Sequence, residues 1–130
     1  MGKILIVDDN EDVLQIMQLL LSSRGYQVQI CSKGGEAFDL IKQIQPALIF
    51  LDIHLSGGID GRIICKEIKT FQETKHIPVI LFSANIIKGT TLDESLADDF
   101  VAKPFDIHEL LLKVNKLIGT ASNNEETMIA

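Results

Sequence analysis

The 130-residue sequence has no apolar segment long enough to cross a membrane and no excess of positive charge. A membrane helix needs roughly 20 consecutive apolar residues, and every apolar run here is much shorter. Nucleic-acid surfaces are usually basic, whereas 18 acidic residues outnumber 12 basic ones and leave a net charge of −6. We therefore expect neither a membrane partner nor a direct nucleic-acid partner.

Cysteine is scarce, and no segment has the pattern of a targeting signal. Cys31 and Cys65 lack metal-ligand spacing and fall in separate predicted elements, so we interpret them as buried thiols. The amino-terminal residues enter a predicted strand at once, and no small-residue cleavage site follows. The absence of secretion and targeting signals predicts a cytoplasmic location.

The length suits one domain with a three-layer core. A hydrophobic fraction of 46% with 23% charged residues is typical of a globular protein, and no linker or repeat divides the chain. We assign residues 1–119 to this domain. Residues 120–130 begin with a polar segment, residues 120–126, and are interpreted as a solvated tail.

Four short apolar runs each end at a residue that can take part in phosphate or metal chemistry. These residues are Asp8 with Asp9, Asp52, Ser83 and Lys103. Short unbroken apolar runs between helical stretches indicate parallel strands buried on both faces. The carboxyl ends of such strands share one edge, where ligands bind. Three carboxylates, a hydroxyl and an ammonium are therefore expected to converge there.

The hydrophobic pattern predicts five repeats of a strand followed by a helix. The strands are expected over residues 3–7, 27–31, 47–51, 78–82 and 100–102. The helices are expected over residues 10–24, 35–44, 61–71 and 106–118, with one or two further helical turns inside 85–98. The third strand is the most apolar and is predicted to be central, whereas the second alternates and is predicted to be an edge strand.

In this pattern the sequence resembles the receiver (response-regulator) domain of two-component signalling. The resemblance covers about residues 1–118 and rests on motifs in a fixed order: Asp8-Asp9, Asp52, Asp60-Gly61, Ser83 and Lys103-Pro104-Phe105. It implies a flavodoxin-like α/β fold of three layers. A doubly wound, five-stranded parallel sheet of order 2-1-3-4-5 would lie between two layers of helices.

The resemblance implies that Asp52 accepts a phosphoryl group from a phosphohistidine on a sensor histidine kinase or a histidine phosphotransfer protein. It also implies a Mg²⁺ site formed by Asp9, Asp52 and the backbone carbonyl of His54, with Asp8 acting through water. Three acids so close together would repel one another, and one would tend to hold its proton. A hard divalent cation relieves that repulsion and keeps the nucleophile anionic.

Further roles follow from the same resemblance. Ser83 and Lys103 would contact the phosphoryl oxygens, and Ser83 and Phe100 would form a conformational switch. The peptide bond between Lys103 and Pro104 is expected to be cis. The output would pass to an unknown effector protein or along a phosphorelay, and a homodimer is compatible with this scheme. The domain would catalyse only its own phosphorylation and dephosphorylation and is otherwise not an enzyme.

Three other functions fit the residues less well. A phosphatase with an aspartyl-phosphate intermediate would carry a second aspartate two residues after the nucleophile, where this chain has His54. A protein-interaction module that keeps the fold without phosphorylation would not need all five chemical positions. A flavodoxin-like cofactor binder would need a phosphate-cradling first loop, and Asp8-Asp9 would repel that phosphate.

The chain departs from the common receiver pattern after the acceptor and after the fourth strand. Leu55-Ser56 stands where many receivers have Met-Pro, and Gly57-Gly58 lengthens the loop by about one residue. The interval from Ser83 to Lys103 is short and leaves little chain for a helix. We also hypothesise that His54 and Asn85 control how fast water removes the phosphoryl group.

The first helix carries more apolar residues than one core-facing stripe needs. They are Val13, Leu14, Ile16, Met17, Leu19, Leu20 and Leu21. One interpretation is a wide buried face. The other is that part of the helix docks a helix of the kinase or phosphotransfer protein.

Overall fold

A computed structural model of the chain describes residues 2–84 and 94–119. Within them, the main strands are β1 Lys3–Val7, β2 Gln27–Cys31, β3 Leu48–Asp52, β4 Val79–Ser83 and β5 Asp99–Ala102. The helices are α1 Glu11–Ser22, α2 Gly34–Ile44, α3 Gly61–Thr70 and α4 Ile107–Ile118. A small antiparallel hairpin, His54–Leu55 with Ile59–Asp60, joins β3 to α3.

The five main strands form one parallel sheet in the order β2-β1-β3-β4-β5. This order confirms the predicted doubly wound fold. Every residue of β3 is buried, as expected for the central strand. β2 lies at an edge and is mostly half-buried, which explains its alternating sequence.

Helices cover both faces of the sheet and give the three inner strands, β1, β3 and β4, two buried faces. Alternate residues of β1 point to opposite sides: Leu5 packs in the cluster with α2 and α3, and Ile4 packs in the cluster with α1 and α4. Side chains of a strand alternate in this way, so a strand covered on both faces must be apolar throughout. The continuous apolar runs of the sequence are a consequence of this layering.

Three helices begin at polar residues whose side chains accept backbone hydrogen bonds. Asn10 caps α1, Asp60 caps α3 and Asp106 caps α4. Such caps satisfy N–H groups that have no partner inside the helix. Because Asn10 and Asp60 directly follow loops at the carboxyl edge of the sheet, these caps also fix the start of the helices next to the expected site.

The predicted end of the first helix near Arg24 is two residues too late. The N–H groups of Arg24 and Gly25 donate to Leu21 and Ser22, three residues back, so a tighter turn replaces the α-helical pattern. Gly25 lies in that turn with φ 92°. This left-handed conformation is the reason for a glycine at this position.

The remaining predicted boundaries agree with the structure to within one or two residues. Residues 85–93, which carry Asn85 and most of the helical turns expected between β4 and β5, lie outside the described residues, as do residues 120–130. Cys31 and Cys65 are buried and free, which confirms the prediction of buried thiols. None of the helices in the described ranges is long and apolar enough to cross a membrane.

The start of α3 is packed directly against the end of β3. The Gly61 N–H donates to the carbonyl of Ile53 at 2.8 Å. A Cβ atom at Gly61 would collide with the carbonyl oxygen of Asp52. Only glycine therefore allows the helix to begin this close to the expected phosphorylation site.

We predict that Gly61→Ala lowers the free energy of unfolding by about 1–3 kcal/mol, because the backbone of Asp52 or α3 must move. Urea unfolding followed by circular dichroism measures the change. Gly35→Ala is the matched control. It also places a methyl group in a helix, but the nearest atom would be at an ordinary 3.8 Å. An equal loss in both variants would contradict the steric explanation.

Candidate functional site at the carboxyl edge of the sheet

Three carboxylates meet where β1 and β3 end. Asp8 and Asp9 follow β1, and Asp52 is the last residue of β3. One oxygen from each of the three carboxylates can be chosen so that all lie within 4.8 Å of one another. Asp8 and Asp52 are buried, whereas Asp9 is exposed. The structure thus brings together the three acids that are far apart in sequence.

Lys103 supplies the positive charge opposite the two buried acids. Its Nζ lies 2.7 Å from Asp8 Oδ2 and 3.2 Å from Asp52 Oδ2. The peptide bond that follows Lys103 is cis. The Lys103 backbone N–H donates to the carbonyl of Ser83 at 2.9 Å. This bond ties the lysine to the end of β4.

The second oxygen of each buried carboxylate accepts a backbone hydrogen bond. Asn10 N–H donates to Asp8 Oδ1 at 2.9 Å, and His54 N–H donates to Asp52 Oδ1 at 3.2 Å. Both carboxylates are therefore held at two points, one ammonium and one amide. Buried charges need this kind of pairing, because an unpaired ion in the interior is very costly.

The pKa values of Asp8 and Asp9 move in opposite directions. Burial raises the pKa of Asp8 to about 6 against the opposing hydrogen bonds from Lys103 and Asn10, and the charge of Asp52 raises it further. A hydrogen bond from Ser56 lowers the pKa of Asp9. Repulsion between the acids was expected to favour protonation of one of them. Desolvation is the larger cause at Asp8.

The two residues expected to form the switch lie on the neighbouring strands β4 and β5. Ser83 is the last residue of β4 and is buried. The residue before it, Phe82, is the partner of Asp52 in the sheet. Phe100 lies on β5 opposite Leu81 and is half-buried against the core cluster that includes α2 and α3. The structure therefore places both residues in one strand pair, and their role as a switch stays a prediction.

His54 begins the hairpin after β3 and is exposed. Its backbone N–H donates to Asp52, so its backbone lies next to the acids. That its carbonyl oxygen binds a metal ion stays a prediction. The hypothesis that His54 and Asn85 control hydrolysis also stays open, since Asn85 lies outside the described residues.

Two residues at the site were not assigned from the sequence. The Ser56 hydroxyl donates to Asp9 Oδ2 at 2.5 Å. The ring of Phe82 lies below the Lys103 ammonium, with 4.6 Å between Nζ and the ring centroid. In the sequence, Ser56 stands out only as a departure from the common receiver pattern. Phe82 gave no signal, because an aromatic residue at the end of an apolar strand cannot be told from ordinary core.

The donor set fits a small, hard divalent cation. Asp8, Asp9 and Asp52 offer only oxygen, and their charge exceeds the single positive charge of Lys103. Mg²⁺ prefers oxygen ligands and binds proteins through one or two carboxylates together with phosphate and water. Softer metals prefer nitrogen and sulfur, and neither buried cysteine belongs to this group of possible ligands.

Comparison with known protein families decides the classification. The family model described as the response regulator receiver domain matches residues 4–115. The chain belongs to this family. As a receiver domain, it is a component of two-component signalling.

Solved structures of receiver domains from several organisms are similar to this one. The signal receiver domain of a signal transduction histidine kinase from Syntrophus aciditrophicus is 30% identical, with a TM-score of 0.80 over 91% of this chain and 90% of that chain. The receiver domain of sensor histidine kinase PA1611 from Pseudomonas aeruginosa is 28% identical, with a TM-score of 0.79 over 92% of this chain and 98% of that one. That receiver domain has a magnesium ion coordinated in its active-site cleft.

A chemotaxis response regulator, CheY4 of Vibrio cholerae, is 22% identical, with a TM-score of 0.82 over 91% of this chain and 99% of that chain. At this identity the likeness concerns the fold alone.

We predict that Lys103→Met destabilises the receiver domain at pH 7 in the presence of a chelator, because Asp8 and Asp52 lose their counter-charge. Leaving a buried charge unpaired costs about 3–5 kcal/mol. The free energy of unfolding in urea measures the effect. Adding Asp8→Asn to Lys103→Met should recover part of the loss by removing one of the two charges.

Lys113→Met is the matched control for this substitution. Lys113 pairs with Asp99 at 2.9 Å, and both side chains are partly exposed. A pair of that kind contributes at most about 1 kcal/mol. If both substitutions cost the same, the buried cluster is not what makes Lys103 important for stability.

Proposed function

We propose that this receiver domain accepts a phosphoryl group on Asp52 from a phosphohistidine, in a reaction that depends on Mg²⁺. The donor would be a sensor histidine kinase or a histidine phosphotransfer protein. The observation that supports this proposal is the convergence of Asp52 with two further acids and Lys103 at one edge of the sheet.

Asp52 is suited to act as the nucleophile. Its two carboxylate oxygens accept from the Lys103 ammonium and from the His54 N–H, each at 3.2 Å, which fixes the side chain at the cleft. In the proposed step a carboxylate oxygen of Asp52 forms a bond to phosphorus while the bond between phosphorus and the donor imidazole nitrogen breaks. The electron pair of that bond remains on the imidazole nitrogen, which leaves as neutral histidine once protonated by solvent.

Phosphoryl transfer spreads negative charge over three equatorial oxygens, so cations and hydrogen-bond donors matter more than acid–base groups. Lys103 would exchange part of its contact with Asp8 and Asp52 for the phosphoryl oxygens, and Ser83 would donate to them from the end of β4. Asp8, Asp9, Asp52 and the carbonyl of His54 would hold the Mg²⁺. When bound, it supplies the positive charge that offsets the acids and the phosphoryl group.

Phosphorylation would act on the rest of the domain through β4 and β5. Ser83 pairs with Ala102, and Leu81 pairs with Phe100, so a shift at the end of β4 reaches the position of Phe100 through one ladder. We propose that Phe100, now half-buried, moves inward and changes the surface that a downstream effector protein binds. In this proposal the domain acts in the cytoplasm and has no catalytic activity toward other substrates.

We predict that Asp52→Asn abolishes covalent phosphorylation, because an amide is not a nucleophile at physiological pH. The test is incubation with acetyl phosphate and Mg²⁺, followed by intact mass spectrometry. Asp39→Asn, which changes an exposed acid on α2, is the control and should gain a phosphate-sized mass like the wild type. Omitting Mg²⁺ should remove the gain. A receiver domain that signals without phosphorylation would show no gain in any variant.

The apolar residues of α1 divide between the core and the surface. Leu14, Met17 and Leu21 are buried, but Ile16 is 53% exposed and Leu19 is 70% exposed. The wide buried face considered above therefore does not account for the whole helix. We propose that Ile16 contacts a partner, because it also lines a groove beside this helix.

A groove of about 530 Å³ lies between α1 and the start of α4. It is lined by Val13, Ile16, Leu20, Ala84, Lys103, Pro104, Phe105 and Ile107. Because Lys103 belongs to both the groove and the acidic site, a helix seated in the groove would lie next to Asp52. We propose that the phosphohistidine donor docks here.

We predict that Ile16→Lys slows phosphotransfer from a histidine phosphotransfer protein that phosphorylates the wild type. Loss of an apolar anchor costs about 1–2 kcal/mol, which corresponds to a decrease of about 5- to 30-fold. Leu19→Lys is the matched control, since it places the same charge on the same helix outside the groove. Phosphorylation by acetyl phosphate should be equal in all three proteins. A loss with acetyl phosphate would mean that the chemistry, not docking, had been damaged.

A further inference from the structure

The segment between β3 and α3 forms a small hairpin with a tight turn at its tip. His54 pairs with Asp60 and Leu55 with Ile59, and Ser56–Gly58 form a 3-10 turn between them. Gly57 and Gly58 have φ values of 77° and 72°. No atom lies within 4 Å of a Cβ built at either glycine, so the backbone conformation, not lack of space, calls for glycine here. The extra loop length and both glycines therefore serve the turn.

The turn places Ser56 beside Asp9, the exposed acid of the three. Its hydroxyl donates to Asp9 Oδ2, so the bond joins the loop after β3 to the loop after β1. Asp8 and Asp52 are buried and are each held by Lys103 and a backbone amide. Asp9 is the exposed member of the three, and its Oδ2 accepts from Ser56. Ser56 is thus the side chain that restrains the exposed acid.

The hairpin that carries Ser56 is anchored at both ends. Leu55, next to Ser56, is buried in the core. At the other end, Asp60 caps α3 and accepts from the Nε and Nη2 of Arg62 at 2.9 and 2.6 Å. Because the backbone on both sides is fixed, the hydroxyl is held near Asp9 at little additional cost in entropy.

We infer that Ser56 is a positioning residue that orients Asp9 for a divalent cation. The hydroxyl engages one carboxylate oxygen of Asp9 and leaves the other for the metal. Without it, an exposed aspartate samples several rotamers and must be ordered when the cation binds. Groups that orient the ligands of a metal typically change its affinity by 10–100-fold. The inference takes the metal from the proposed function, but it does not require that Asp52 is phosphorylated.

The test measures Mg²⁺ binding by isothermal titration calorimetry without any phosphodonor. Calorimetry suits this chain, which has no tryptophan to report on the site. Ser56→Ala should raise the Kd for Mg²⁺ about 10-fold. Ser56→Thr keeps the hydroxyl and should bind close to the wild type. In an Asp9→Asn background, Ser56→Ala should cause little further loss, because the residue that it orients has been changed.

A Kd for Ser56→Ala equal to or lower than that of the wild type would overturn the inference, since the hydroxyl would then be neutral or a competitor of the metal. The inference is also overturned if Ser56→Thr binds Mg²⁺ as weakly as Ser56→Ala. This comparison can be made even where Asp9→Asn binds Mg²⁺ too weakly to titrate. Urea unfolding with a chelator shows whether each variant is folded. Because only one exposed hydrogen bond is lost, the urea midpoint of each variant should lie close to that of the wild type.

The outcomes separate this inference from the proposed function. If the wild type is phosphorylated on Asp52 but the Kd for Mg²⁺ does not change with Ser56→Ala, only the inference is contradicted. A Kd that depends on Ser56 in a protein that is never phosphorylated sinks the proposed function alone. Wild type that binds no Mg²⁺ contradicts both.

Discussion

Two buried carboxylates share one ammonium, and the sheet must be arranged so that a lysine can reach both. Asp8 and Asp52 end the neighbouring strands β1 and β3, but Lys103 follows β5, which is separated from β3 by β4. The lysine side chain must therefore pass over the end of β4. Phe82 lies at this end with its ring below the ammonium, and the Ser83 carbonyl binds the Lys103 N–H. The end of β4 is thus the support that lets one cation serve two strands.

The three acids are held by different means, and this difference divides their roles. Asp8 and Asp52 depend on the sheet itself, because β1, β3 and β5 bring their partners together. Asp9 depends on a loop, because its partner Ser56 is carried by the hairpin after β3. A change in that hairpin can therefore alter the surroundings of Asp9, a proposed metal ligand, while Asp52 and Lys103 stay in place. Loops carry the variable part of a site and the scaffold carries the fixed part.

The sequence predicts those parts of the structure that local pattern and strand direction determine. Apolar runs specify parallel strands, and their shared carboxyl edge brings Asp8, Asp9, Asp52 and Lys103 together. The strand order was an implication of the family resemblance. The contact of Ser56 with Asp9 depends on two left-handed glycines and on the approach of two distant loops, and no local pattern encodes that approach. The predicted end of α1 was wrong because the N–H groups of Arg24 and Gly25 donate to carbonyls three residues back, not four. Local sequence pattern does not distinguish this tighter turn from a continued α-helix.

In the proposed docking mode, the groove beside α1 would connect partner binding with chemistry through Lys103. Lys103 lines the groove together with Ile16 and Pro104. A helix seated there would exclude water from one side of the ammonium. Electrostatic attraction grows as the surrounding dielectric constant falls, so the interaction of Lys103 with Asp52 and the incoming phosphoryl group would strengthen upon docking. Exposed apolar side chains on α1 would then contribute to the transfer step as well as to affinity, because they place the donor where it shields the lysine that the reaction needs.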